Sequence, residues 1–380
     1  MMYAGAGINP VKNSRVLVAM SGGVDSSTAA CLLVRQGHEV AGAHLMLPKF
    51  SSSGSGESRP ALTSRETHQG AEDAQRVCRK LDIPFYAIDV RQEFQKEVVE
   101  YFCREYLAGR TPNPCIPCNR GIKFGALLDT ARAMGFDFLA TGHYVSLAQD
   151  PESKRFYLQR ARDERKDQSY FLYTLTQAQL RHILFPLGSY TKEDIRIMAR
   201  EFDLPVHDKP ESQEICFLPQ GDYTGFLRSR KEYQDRGSGP ILNRQGEVLG
   251  SHKGIYSYTI GQRRGLGLYN PSPLYVLSID PERNAVIVGA ETETYRHELI
   301  ATRMNWMLTD APGDPLAAWA QIRYRHRPRP VIIVPLENQD DDAVLVRFQE
   351  PEKSIARGQS VVFYQGDKVL GGGVIDRVLL

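Results

Sequence analysis

No apolar run in this chain approaches the roughly 20 residues that a helix needs to cross a bilayer, so no segment reads as a membrane span. Residues 1–10 have no charged stretch followed by an apolar core, and we expect no secretion signal. Cysteine is scarce and scattered, six in 380 residues, which excludes a secreted disulfide framework and suits a reducing cytosol. The expected location is the cytoplasm. A net charge of only +2 means that overall electrostatics announce no nucleic acid, so such a partner must be argued from local clusters. Internal repeats are lacking too.

The most informative residues present are Ser21-Gly22-Gly23-Val24-Asp25-Ser26-Ser27. They follow the apolar run 15–20, which reads as a buried parallel strand, and precede a helical pattern stopped by Gly37. A glycine-rich turn from strand into helix can hold phosphate, because the backbone comes close and the free N–H groups of the helix start point at the anion. Ser21, Ser26 and Ser27 add hydroxyls, and Asp25 could orient Mg2+. The loop lacks the lysine of a Walker A motif, which argues against a kinase or GTPase. It resembles the SGGxDS pyrophosphate loop of enzymes that cut ATP to AMP and pyrophosphate. A Gly-Ser turn without a ligand is the blander reading, and the strand–loop–helix order argues against it.

From residue 15 to about 204, strand and helix alternate. Strands are expected at 39–45, 85–89 and 136–140, and helices at 122–134, ending before Gly135, and at 192–202, capped by Thr191 with Asp194. This grammar predicts an α/β fold, a doubly wound parallel sheet, with its active site at the carboxyl ends of the strands. The Ser/Gly-rich stretch between Lys49 and Gln69 reads as a mobile surface loop. After Asp222 short alternating runs replace helices. We expect a catalytic domain over 1–222, a small mixed middle domain over 223–296 and a C-terminal β-barrel over 297–380. Strands are expected there at 320–324, 331–336, 343–348 and 360–364, and on a strand the alternating arginines of 323–329 would share one face as a phosphate track.

Cys31, Cys78 and Cys103 lie on helical patterns with apolar neighbours and read as packing residues. Cys115 and Cys118 stand three apart in a proline-stiffened loop, and Cys216 follows far along the chain. A structural zinc half-site would need a second pair, which the sequence lacks. A three-cysteine site with an external ligand stays open.

Together these motifs resemble the tRNA-specific 2-thiouridylases. The resemblance runs nearly end to end, through SGGVDSS, Thr111-Pro112-Asn113-Pro114 with Cys118-Asn119, Thr141-Gly142-His143-Tyr144, 166–172, 212–217, 261–267, Arg323-Tyr324-Arg325, Gly358-Gln359-Ser360 and Gly371-Gly372-Gly373. It implies ATP-dependent 2-thiolation of the wobble uridine, U34, in tRNAs of the Lys, Glu and Gln type. ATP would adenylate the C2 oxygen, making AMP the leaving group. A sulfur donor, either a cysteine desulfurase or a sulfur-relay protein, would load a persulfide on Cys216. Cys118 would help release the sulfur and form a disulfide with Cys216. Ala19, Met20, Ser21, Gly22, Gly23, Val24, Asp25 and Ser26, with Leu45 and Gly142, match the ATP site. Asn113, Pro114 and Cys115 match the segment that meets the base, and His143, Lys166, Asp167, Gln168, Arg323, Tyr324 and Gln359 match tRNA contacts. On chemistry alone, His143 reads equally as a cap and Lys166-Asp167 as a solvated pair.

One position departs from the family pattern. Cys115 stands where the family loop carries aspartate, a presumed acid/base group, and a thiol differs in pKa and geometry. Cys115 then joins the catalytic set. Three thiolates with an open position resemble the site of iron–sulfur-dependent tRNA thiolases, so a [4Fe-4S] cluster on Cys115, Cys118 and Cys216 is placed slightly ahead of the persulfide route. An amidating synthetase with the same loop, or a tRNA-binding protein without catalysis, are the alternatives. The first would need a glutaminase region, and none is evident.

Overall fold

The computed structural model describes residues 13–48, 50, 65–211, 215–218, 221–230, 236–336 and 343–379, with side chains 65–68 left aside. Most of the stretch expected as a mobile loop lies outside the described residues, as do Ser212, Gln213 and Glu214 beside Cys216.

Five parallel strands form the first sheet, in the order Phe85–Asp89, Glu39–Met46, Arg15–Ala19, Phe138–Ala140 and Ile183–Leu184. After Arg15 the central strand is apolar because both its faces are covered. Val16 and Val18 enter the core with Ala29, Ala30 and Leu33 of helix Val24–Arg35. Leu17 points the other way, into the core with Leu127, Leu128 and Ala131 of helix Leu127–Ala133. The sheet is thus doubly wound, as expected. Strand order reverses beside Arg15–Ala19, and a ligand crevice opens where neighbouring connections leave to opposite sides. Residues 21–27 lie at that point.

The helix expected from residue 122 starts earlier, as Cys115–Pro117. It continues through Cys118–Ala126 with wide π-type hydrogen bonding and ends at Leu127–Ala133, with Gly135 at φ +80°. Helix Lys192–Glu201 has the expected cap. The Asp194 N–H donates to Thr191 Oγ1 at 3.1 Å, and the Thr191 N–H to Asp194 Oδ2 at 2.8 Å.

Four strands make the middle sheet, in the order Tyr275–Asp280, Ala285–Gly289, Gly239–Leu242 and Val248–His252. The C-terminal part is a closed barrel of six antiparallel strands, sealed where Tyr295–Trp306 pairs with Lys368–Val378. Strand Lys368–Val378 also pairs with Phe156–Gln159, which stitches the barrel to the first part of the chain.

One expectation fails here. Residues 323–329 do not form a strand with arginines on one face. Strand Leu316–Gln321 ends early, and its partner Arg329–Pro335 pairs with it from Ala320 opposite Arg329, so 322–328 must reverse the chain. Arg325 takes φ +66° within this reversal. An alternation of arginines and polar residues cannot by itself distinguish a strand from the turn that joins two.

Candidate active site

The loop 21–27 is built by contacts that require glycine. Gly22 has φ +75°, and a Cβ there would lie 2.1 Å from the Gly70 carbonyl oxygen. Gly142, just after strand Phe138–Ala140, approaches Ser26 so closely that a Cβ would sit 2.7 Å from its N–H nitrogen. Within the loop the Gly23 N–H donates to Ser21 Oγ at 3.3 Å, and the Ser21 N–H to Ser26 Oγ at 3.2 Å. Ser27 Oγ donates to the Gly23 carbonyl at 2.8 Å. Gly23 caps helix Val24–Arg35 without a side-chain acceptor, so the helix start keeps donors for an anion. The Met20 carbonyl accepts from His44 Nδ1 at 2.8 Å. Leu45 is half-buried nearby, packed against the apolar clusters.

A carboxylate–ammonium network flanks the loop. Asp25 Oδ1 accepts from Tyr144 OH at 2.7 Å and from Lys192 Nζ at 2.6 Å. Lys192 also meets Glu211 Oε1 at 2.9 Å, and Lys166 meets Glu211 Oε2 at 2.5 Å. Burial raises the Glu211 carboxyl, but the bonds from Lys166 and Lys192 outweigh it and hold the carboxyl down to about 2. On the far side Lys209 Nζ donates to the Gly22 carbonyl at 3.0 Å and to Asp73 Oδ2 at 2.6 Å. The sequence reading missed Lys192, Lys209 and Glu211, because no local pattern marks a residue by the loop it will meet.

The three expected thiols converge. The Asn113 side chain accepts from the Cys115 N–H at 3.1 Å and starts the helical turn. Spacing of three then puts Cys115 and Cys118 on one face. Cys216 is held by its neighbours: Phe217 packs 5.4 Å from Phe102 and 5.7 Å from Phe94, ring centre to ring centre. Cys118 packs against the same cluster. Cys115 and Cys216 reach the surface, but enclosure by surrounding protein still disfavours their thiolates. Enclosure pushes Cys118 up to about 11 and Cys216 up to about 12, with the neighbouring thiols adding to the rise. Lys123 opposes this at all three. None of the six cysteines is in a disulfide bond.

Lys123 Nζ also donates to His143 Nε2 at 3.5 Å, so Nδ1 carries the ring proton and faces Thr141 Oγ1 at 2.7 Å. Burial, with Lys123 beside it, holds His143 neutral. A path of contacts therefore runs from Lys123, whose charge acts on all three thiols, through His143 and Gly142 to Ser26 of the nucleotide loop. Lys123 was also invisible to motif reading, although it lies only five positions after Cys118. Lys123→Met should slow alkylation of Cys118 and Cys216 at neutral pH by about three- to tenfold, since losing the cation raises thiols whose thiolate fraction already limits them. Rate-against-pH curves followed peptide by peptide should shift to higher pH. Superimposable curves for variant and parent would remove Lys123 from this role.

Among the described residues, no group of three or more Cys, His, Asp or Glu side chains is spaced to hold a metal ion. The expectation of a [4Fe-4S] cluster on Cys115, Cys118 and Cys216 therefore gains no support from the described residues. Asp25 does suit Mg2+ held jointly with phosphate oxygens, since that ion takes one or two carboxylates and its substrate.

Residues expected to meet tRNA lie in several settings. Asp167 points inward, accepting from the Ala161 N–H at 2.9 Å and Ser169 Oγ at 2.7 Å, and burial raises its carboxyl. Gln168 Oε1 accepts from the Tyr144 N–H at 2.9 Å. Gln359 Nε2 donates to the Thr111 carbonyl at 2.7 Å, so the barrel grips the loop that carries Asn113 and Pro114. Tyr324 packs on Phe171 at 4.5 Å, and Arg323 Nη1 donates to the Lys353 carbonyl at 3.2 Å. Arg325 is exposed.

Three family models match in succession: a tRNA methyl transferase HUP domain over residues 14–220, a tRNA methyl transferase PRC-barrel domain over 226–290 and an aminomethyltransferase beta-barrel domain over 296–375. The chain is 48% identical over 370 residues to a tRNA-specific 2-thiouridylase of Geotalea uraniireducens, covering 97% of this chain and 96% of that one. It is 47% identical over 365 residues to one from Caldanaerobacter subterraneus, covering 96% and 98%. Among solved structures, a U34-tRNA thiolase of Methanococcus maripaludis with its [4Fe-4S] cluster aligns at TM-score 0.34 and 19% identity, over 55% of this chain and 63% of that one.

Proposed function

The chain belongs to the tRNA-specific 2-thiouridylase family, and on that premise we propose that it replaces the C2 oxygen of tRNA wobble uridine by sulfur at the expense of ATP. One observation carries the reading to these residues. The charge of Lys123 acts on all three thiols, and its contact with His143 leads through Gly142 to Ser26 in the glycine-rich loop suited to phosphate. Sulfur transfer to an activated oxygen needs both parts. Methyl transfer, which two of the matched models carry in their names, needs neither.

The C2 oxygen attacks the α-phosphorus of ATP, and the bond to pyrophosphate breaks. Backbone donors of 21–27 and the start of helix Val24–Arg35 hold the departing phosphates. Mg2+, carried in with ATP, would be held by Asp25 and would spread the phosphate charge. The adenylated C2 is then open to a sulfur nucleophile, and AMP leaves with the original oxygen. Cys216 carries the incoming sulfur as a persulfide from an external donor. Cys118 attacks the Cys216 sulfur, releases the outer sulfur as hydrosulfide and forms a disulfide that a cellular reductant reopens. Lys123 is the cation available to favour thiolates at both steps. A tRNA substrate and six cysteines outside any disulfide suit a reducing cytoplasm.

The test is a single-turnover reaction with unmodified tRNA, ATP and a persulfide donor, followed by nucleoside mass spectrometry. One AMP should appear per 2-thiouridine, and neither without tRNA. AMP formed at the same rate without tRNA, or an unmodified wobble uridine after full ATP consumption, would sink the reading.

A further inference from the structure

The nucleotide loop contains no lysine, yet the fold delivers two ammonium groups to it, and they are not equivalent. Lys209 binds a backbone carbonyl of the loop and Asp73, which also accepts from Gln69 at 2.8 Å and from Arg76. Both partners of Lys209 are structural groups, so it braces the loop.

Lys192 stands in a setting that stability alone disfavours. It is the first residue of helix Lys192–Glu201, directly after the N-cap Thr191. A cation in the first turn opposes the helix dipole. The side chain is also only 11% exposed, and burying an ammonium is costly unless it is paired. Its two carboxylate partners, Asp25 and Glu211, are themselves partly open, at 33% and 26%. One lies in the nucleotide loop. The other lies five positions before Cys216, counting 216 − 211. A residue that breaks local rules to join two halves of a site is a functional candidate.

Among the side-chain ion pairs, Lys192 and Lys166 stand against Asp25 and Glu211, and Asp163 adds a carboxylate at the helix start, accepting from the Lys192 N–H at 2.9 Å. A polyphosphate adds negative charge beside Asp25 and competes with Glu211 for the Lys192 ammonium. Building on the ATP reading above, we propose that Lys192 supplies, from a distant part of the same chain, the phosphate-binding cation that the loop lacks, exchanging Glu211 for a phosphate oxygen. Released from Lys192, Glu211 keeps only Lys166, so nucleotide binding changes the ion pairing five positions before Cys216. Nucleotide occupancy and thiol exposure are then linked through one side chain.

The experiment is calorimetric titration of the full chain with magnesium pyrophosphate, alongside peptide-resolved alkylation of Cys216. Lys192→Met should weaken pyrophosphate binding by about tenfold or more, and Lys192→Arg should keep most of it. Glu211→Gln should act in the opposite direction and tighten binding, a sign that general damage to the fold cannot produce. Pyrophosphate should change the alkylation rate of Cys216 in the parent and not in Lys192→Met. Equal affinity in parent and Lys192→Met, or weaker binding in Glu211→Gln, overturns the proposal. A parent that binds no pyrophosphate overturns the nucleotide reading beneath it as well.

Discussion

Cys118→Ser and Cys216→Ser should each abolish 2-thiouridine while AMP formation on tRNA continues. Adenylation needs only the nucleotide loop and the base, whereas sulfur transfer needs two thiols that exchange a bond. Both lie in one enclosed patch with Cys115 and Lys123, and neither is paired in the resting protein. A hydroxyl is a far weaker nucleophile and leaving group in disulfide chemistry, so residual activity should fall by at least about a thousandfold. The two variants should differ in what accumulates. Cys118→Ser should retain a persulfide on Cys216 after exposure to donor, visible as a mass increase of one sulfur on that peptide. Cys216→Ser should retain none. Loss of AMP formation together with thiolation in both variants would mean that the thiols serve the fold or ATP site instead. Cys115 separates the sulfur routes. On the persulfide route Cys115→Ala keeps part of the activity and the parent works without iron. An iron-dependent parent that loses iron with Cys115→Ala would reverse that assignment.

Asp25→Ala should abolish AMP formation and leave the fold intact. The carboxylate sits in the first turn of helix Val24–Arg35, receives Tyr144 and Lys192 on one oxygen and lies beside the loop backbone. Removing it takes away the group suited to Mg2+ and one partner of a buried ammonium. Glu211 still holds Lys192, so the charge is not left alone. Loss of one group that stabilises charge in a transition state typically costs about a hundredfold to a thousandfold in rate. The melting temperature should drop by only a few degrees, as expected for a change of about 1 kcal/mol. Thiolated tRNA made at the parental rate would refute the pyrophosphate-loop assignment.

Much of this molecule was legible before its coordinates. The run 15–20 followed by two glycines and a helical pattern announced a buried strand and an anion loop, because burial on both faces and a positive φ at Gly22 are local demands on residue type. The cap of Thr191 by Asp194 and the stop at Gly135 were readable for the same reason. The spacing of Cys115 and Cys118 already implied one face.

Other features depended on where distant segments meet. Residues 323–329 alternate like a strand, yet the pairing of Ala320 with Arg329 turns them into a reversal, and only barrel closure sets that register. Asp167 looked like half of a solvated pair and is an inward acceptor. The lysine absent from the nucleotide loop is provided 167 residues away by Lys192 and braced 187 residues away by Lys209. The sequence alone determined the sheet, the loop and the thiols, since periodicity and turn chemistry act over a few residues. Tertiary structure decided which charges those elements face, because an ion pair depends on distance in space and leaves no period in the chain.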